Sequence, residues 1–269
     1  MNKFEVTIII VMLPVIGISL SQVKAQILHA ENFAVILDTT RTFKGSVIPD
    51  FKFQNQKEDL FEFENNANIS FRIKNNAFTI ANKIELSKYG SETLLSGGFL
   101  YMEYRRILRR KYVVEPFMQF HWSEARGLDY KFASGLNFRY RIHSSSKIGF
   151  FFGIGPFYEY ERWNYDGVKE KFRPLDLSDV ESENMKIGSY LTLKWFTDRN
   201  FDFDISIYHQ SRFDEIFSTP RLASSTSVTY NFTDNIGLIL RYQNIYDFDP
   251  VVPTDKLFNN IIFTIEVAF

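Results

Sequence analysis

Residues 60–74 read LFEFENNANISFRIK. Odd positions carry Phe61, Phe63, Ala67, Ile69, Phe71 and Ile73, while even positions carry Glu62, Glu64, Asn66, Asn68, Ser70 and Arg72. A period of two sustained over this length describes an extended strand with one apolar and one polar face. The alternation returns in Leu128–Ile142, with Tyr130, Phe132, Leu136, Phe138, Tyr140 and Ile142 on one side and Asp129, Lys131, Asn137, Arg139 and Arg141 on the other. Working outward gives about twelve strands, at 43–54, 60–74, 77–88, 94–107, 111–123, 128–142, 147–162, 185–196, 201–211, 221–232, 236–246 and 256–269. Most run to about 10–14 residues, the length a tilted strand needs to cross a bilayer.

Connection lengths support the same reading. Asn75-Asn76, Leu108–Arg110, His143–Ser146, Thr197–Asn200 and Thr233–Asn235 are short and turn-like, and longer polar connections lie between them, the longest being Asn164–Asn184. Outer-membrane barrels put short turns on the periplasmic side and longer loops outside. Counting back from a last strand that ends in the periplasm places every short turn inside. Aromatic residues fall near both ends of the apolar faces: Tyr112 and Trp122, Tyr130 and Tyr140, Phe150 and Tyr160. Such pairs form two interfacial girdles.

Composition fits. The chain is 45% hydrophobic and 17% aromatic, with a mean hydropathy of -0.18 that is too polar for a helical membrane protein. Cys is absent, which removes disulfides and thiolate chemistry. Lys and Arg number 31 against 32 Asp and Glu, so no broad electrostatic surface for nucleic acid is expected. Residues 1–25, with Lys3, an apolar run from Val6 to Leu20 and the end Val23-Lys24-Ala25, read as a signal peptide cleaved after Ala25. Residues 26–42 form an N-terminal periplasmic segment and 43–269 the barrel. The expectation is an all-β, antiparallel transmembrane barrel of about 12 strands in the outer membrane of a Gram-negative bacterium. The alternative is a secreted sandwich or lipocalin-like barrel, whose strands are shorter and bury their apolar face inward.

The stretch VVEPFMQFHWSEARGLDYKFASGLNFRYRI at 113–142, with GFFFGIGPFYEYERW at 149–163 and DNIGLILRYQNIYDFDP at 234–250, resembles a bacterial outer-membrane family known as a domain of unknown function and also labelled salt-induced outer membrane protein. The family's Gly-Asn-Thr after its first barrel strand is replaced here by Phe53-Gln54-Asn55-Gln56. The resemblance implies a barrel and brings no catalytic residue, substrate or cofactor. The last strand, with Ile261, Phe263, Ile265, Val267 and the terminal Phe269 alternating, resembles the signal read by the barrel assembly machinery. That machinery and outer-membrane lipid are the expected partners; no small solute is named by the sequence.

Parity assigns the polar side chains to the lumen. The acids are Glu62, Glu64, Glu85, Glu103, Glu115, Glu159, Glu161, Asp202, Asp204 and Glu266; the bases are Arg72, Lys74, Lys83, Arg105, Lys131, Arg139, Arg141, Lys186, Lys194 and Arg241. The signs nearly balance, which favours ion pairs filling a small interior over the single-sign ring of a selective channel. Gly149, Gly153 and Gly155 share the lumen face, where missing side chains admit curvature or a bulky neighbour. His121 and Ser123 are the one base–nucleophile pair for a membrane-lipid hydrolase or deacylase, yet parity turns both toward the lumen. His209 falls on the lipid-facing parity near the outer rim. Asp214, Glu215, Asp247, Asp249 and Asp255 lie in or beside outer loops without EF-hand spacing, so they read as solvated loop charge. No metal or cofactor is expected.

Overall fold

The computed structural model describes residues 42–55, 58–109, 111–197, 200–233 and 236–267. The signal peptide, residues 26–41 and Phe269 lie outside them. Twelve strands follow in order: β1 (Phe43–Asn55), β2 (Asp59–Ile73), β3 (Asn76–Tyr89), β4 (Glu92–Arg109), β5 (Tyr112–Ser123), β6 (Leu128–Ser144), β7 (Ile148–Trp163), β8 (Val180–Phe196), β9 (Phe201–Arg212), β10 (Arg221–Asn231), β11 (Ile236–Asp247) and β12 (Leu257–Val267). Each pairs antiparallel with the next in one sheet.

The sheet is curled into a barrel. Phe258 of β12 and Arg126, between β5 and β6, would lie roughly 30 Å apart across six flat strand spacings. Instead the guanidinium carbon stands 4.2 Å from the Phe258 ring. The Tyr190 hydroxyl of β8 likewise donates to Glu115 of β5, three strands away. Among the described residues the ladder runs from β1 to β12 without a β12–β1 pairing, and this curl defines the barrel.

Burial follows the alternation. In β7, Phe151, Phe157, Glu159, Glu161 and Trp163 face the interior, while Ile148, Phe152 and Ile154 are exposed outward. The outward faces of β8, β9 and β11 present Leu191, Leu193, Trp195, Ile205, Ile207 and Leu240. From Ile148 to Tyr158 the tilted strand climbs roughly 25 Å, the height of an outer-membrane barrel's apolar band. Rings mark both edges. At the end holding the short turns, Phe71, Phe78 and Tyr104 stack in series at 5.1 and 4.8 Å, Tyr112 meets Tyr140 at 5.4 Å, and Phe201 meets Tyr230 at 4.9 Å. At the loop end Phe120, Tyr130 and Tyr160 follow at 6.3 and 5.6 Å.

Three expectations are corrected. The loop-end connections are not uniformly long: β3 and β4 are joined by Gly90-Ser91 alone, with Gly90 at a φ of 58° that suits a glycine. The β7–β8 connection is 164–179, because β8 starts at Val180 with Glu181 and Glu183 paired to Arg162 and Tyr160. Lys74 is a turn residue with φ 54°, outside the lumen face.

Two loops cap the loop end. Val168 from 164–179 and Val252 from 248–256 are buried with Leu128 and Trp163, and Lys169 Nζ lies 2.8 Å from Asp255. Leu128 reaches this cluster because the β6–β7 register shifts between Leu128 and Tyr130. The shift moves Asp129 off the inner face, to 3.5 Å from Arg162.

Candidate functional site: the barrel interior

Interior charge is organised by strand register. Direct ladder partners facing inward give Lys52–Glu62 at 2.8 Å, Lys194–Asp204 at 2.9 Å, Lys131–Glu161 at 3.1 Å and Arg221–Asp247 at 2.9 Å. Opposite neighbours of opposite charge are the sheet's ordinary stabilising pair. Glu64 and Glu85 also face one another, and Lys83 bridges them, at 3.1 Å from Glu64 and in contact with Glu85.

Two groups of pairs are buried. Toward the turn end, Glu115 is 1% exposed, accepts from Arg139 Nη1 at 3.0 Å and from the Tyr190 hydroxyl, and is ion-paired with Arg105, whose Nε lies 3.2 Å away. Arg105 also binds Glu103, which accepts from the Tyr101 hydroxyl at 2.6 Å. The Arg139 guanidinium stacks 4.1 Å from the Phe151 ring. Toward the loop end, Lys131 lies 2.5 Å from Glu159, which also contacts Lys186, and Arg221 reaches Glu159 at 3.3 Å and Glu161 at 3.4 Å. Buried ions require this density of partners, since each left alone would cost several kcal/mol.

The remaining lumen residues lie outside these two groups. Arg72 donates to the Lys74 carbonyl at 3.1 Å, Asp202 accepts from Asn231 at 2.8 Å, Arg141 is buried and Arg241 half-buried. Glu266 pairs with Gly237 through its backbone, and its side chain lies outside the described residues. Glu62 and Glu64 are half-exposed, unlike the acids of β4–β7. The glycines on the lumen face admit close neighbours. A Cβ on Gly153 would stand 2.2 Å from the Tyr190 ring, and one on Gly155 would stand 1.9 Å from the Leu136 carbonyl oxygen, so one admits a ring and the other a close strand approach.

Several interior residues escape a reading of strand parity. Arg221 opens the strand expected at 221–232 but is absent from the lumen bases expected there, and Asp247 looks like its neighbour Asp249, yet they are direct partners inside the barrel. Asp247 is therefore no loop carboxylate. Asp255 pairs with Lys169, and Asp214 and Glu215 pair with Arg212. The Arg212 hydrogen bond holds the Asp214 carboxyl below its ordinary pKa. Among the described residues no cluster of three metal-ligating side chains occurs. Arg126, nearly enclosed, lies over both Trp163 and Phe258. Tyr101, Phe117, Phe157, Tyr190 and Tyr208 share the inner parity and form a ring-lined middle to the lumen.

His121 and Ser123 are both buried on the inner face, with Trp122 between them pointing out over Gly98. His121 stands in register with Lys131. His209 keeps its outward parity, half-buried, with Nε2 3.0 Å from the Ile216 carbonyl.

No curated protein matches this chain. Among solved structures, the NanC porin is 15% identical and aligns over 85% of this chain and 98% of its own, with a TM-score of 0.45. The KdgM porin is 7% identical over the same shares, with a TM-score of 0.43. The Pseudomonas putida toluene transporter TodX is 11% identical over 84% of this chain and 79% of its own, with a TM-score of 0.38. The family model described as "Protein of unknown function, DUF481" matches residues 49–269, and the chain belongs to that family.

Proposed function

We propose that this protein is a non-enzymatic barrel of a Gram-negative outer membrane whose lumen is a narrow, charge-balanced passage. The observation that carries the reading is the burial of opposite charges against one another across the interior: Lys131 at 0%, Glu115 and Glu161 at 1%, and Glu159 at 2% exposure. A wide aqueous pore leaves its lumen charges wet, and a selective one gathers a single sign at its constriction. The half-exposed Lys52, Glu62 and Glu64 support a passage beside β1 and β2. The outward apolar band with its two girdles supports insertion in lipid, with the short turns in the periplasm, and the alternating sequence of the last strand supports delivery by the barrel assembly machinery. Hydrolysis of membrane lipid is disfavoured because His121 and Ser123 face away from the bilayer.

Planar-bilayer recording tests this. The expected result is a small conductance with little preference between cations and anions, rising when Lys131 and Glu159 are both replaced by Ala. A large, steady wild-type conductance or a strong preference for one sign would overturn the reading. Phospholipid hydrolysis lost in His121→Ala would replace it with the enzyme. Lipid insertion has its own test: Leu191→Arg, at mid-height of the outward band, is expected to destabilise the folded barrel by about 2–4 kcal/mol, measured by refolding into liposomes.

A further inference from the structure

Halfway along the barrel the inner face changes from charge to rings. Tyr101 and Phe117 stack at 6.5 Å, Phe117 and Phe157 meet at 6.3 Å, and Tyr190 and Tyr208 meet at 6.0 Å. They line a chamber of about 60 Å³ that is open at its mouths. Its lining of rings with a few polar side chains has the make-up of a small-molecule site, which is mostly apolar with a few polar groups fixing orientation.

The polar groups around the chamber differ in what they have left to offer. Glu115 is committed to Arg105, Arg139 and the Tyr190 hydroxyl, and Glu103 to Arg105 and the Tyr101 hydroxyl. An ionic solute would therefore lose its water without gaining a counter-charge. Gln210 is different: its buried Oε1 accepts no hydrogen bond, an arrangement native interiors rarely leave standing. Gln210 also borders a second, more polar cleft of about 330 Å³ toward the loop end, lined by Asn184, Arg212 and Thr219. Its carboxamide thus stands where the cleft meets the ring-lined chamber.

We propose that this chamber is a binding site for a small neutral solute with an apolar ring face and one hydroxyl group, of which phenol is the simplest form. The ring packs among Tyr101, Phe117, Phe157, Tyr190 and Tyr208, and the hydroxyl donates to Gln210 Oε1. A hydroxyl both donates and accepts, so it satisfies the carboxamide in either orientation. The site goes beyond the proposed passage and stands whether or not the barrel conducts.

The test is calorimetric titration of the full-length barrel in lipid nanodiscs, with empty nanodiscs as the blank and phenol as the probe. Phenol is expected to bind saturably, toluene about fivefold or more weakly for want of one neutral hydrogen bond, and benzoate not at all. Gln210→Leu is expected to bring phenol down to the level of toluene. Gly188→Leu, whose side chain extends into the chamber, is expected to abolish both while the barrel still shows a heat-dependent gel shift. The proposal is overturned if wild-type phenol binding is not saturable, if toluene binds as well as phenol, if benzoate binds, or if both variants bind phenol unchanged. Conductance is read separately, so failure of this site and failure of the passage are distinguishable.

Discussion

Glu115→Ala is expected to destabilise the folded barrel by about 3–5 kcal/mol, the cost of removing one partner from a buried charge cluster. The carboxylate is 1% exposed and is shared by Arg105, Arg139 and the Tyr190 hydroxyl. Its loss leaves Arg139 buried without the carboxylate it donates to, while Arg105 keeps Glu103. Glu115→Gln keeps the shape and one acceptor, so its cost should be smaller. Glu64→Ala is the comparison that isolates burial: its side chain is 49% exposed beside Lys83, and exposed pairs contribute about 0–1 kcal/mol. Urea unfolding of liposome-inserted protein, followed by Trp fluorescence, ranks the three. Equal losses for Glu115→Ala and Glu64→Ala would mean that the interior around Glu115 is wet.

The second large effect is steric. Gly155→Val places a Cβ 1.9 Å from the Leu136 carbonyl oxygen and 2.8 Å from the Asn137 Cα, both backbone atoms of the paired strand. Neither can rotate away, so β6 and β7 must separate where they come closest. Overpacking of this kind is expected to cost about 3 kcal/mol or more and to reduce the yield of inserted barrel. Gly188→Ala serves as control, because its Cβ would stand 3.4 Å from the Phe157 ring, an ordinary contact. If Gly155→Val accumulates in the membrane as well as Gly188→Ala, the close approach of the two strands is wrong.

How much of this was legible in the sequence depended on the range of the signal. Period-two patterning such as LFEFENNANISFRIK acts within a strand, and it located all twelve strands to within a few residues. It failed where both faces are polar, as in Val180-Glu181-Ser182-Glu183-Asn184 at the start of β8, which reads as loop. It failed again at Leu128, where a register shift inverts the faces. Parity also brought the lumen charges to one side, but their partners depend on register and curl. Tyr190 and Glu115 are 75 residues apart and meet only because the sheet wraps round. The ring-lined chamber was the least legible part. Parity turns Tyr101 inward with Glu103 and Phe157 inward with Glu159, but which rings meet around the lumen depends on register and curl.

The barrel itself is tested most directly by purifying the full-length protein from membranes and comparing boiled with unboiled samples on a gel. A hydrogen-bonded barrel with buried ion pairs resists detergent until heated. The expected result is an outer-membrane fraction whose unboiled band migrates apart from the boiled one. A soluble periplasmic protein that migrates identically with and without boiling would contradict the account and return the chain to a secreted sandwich.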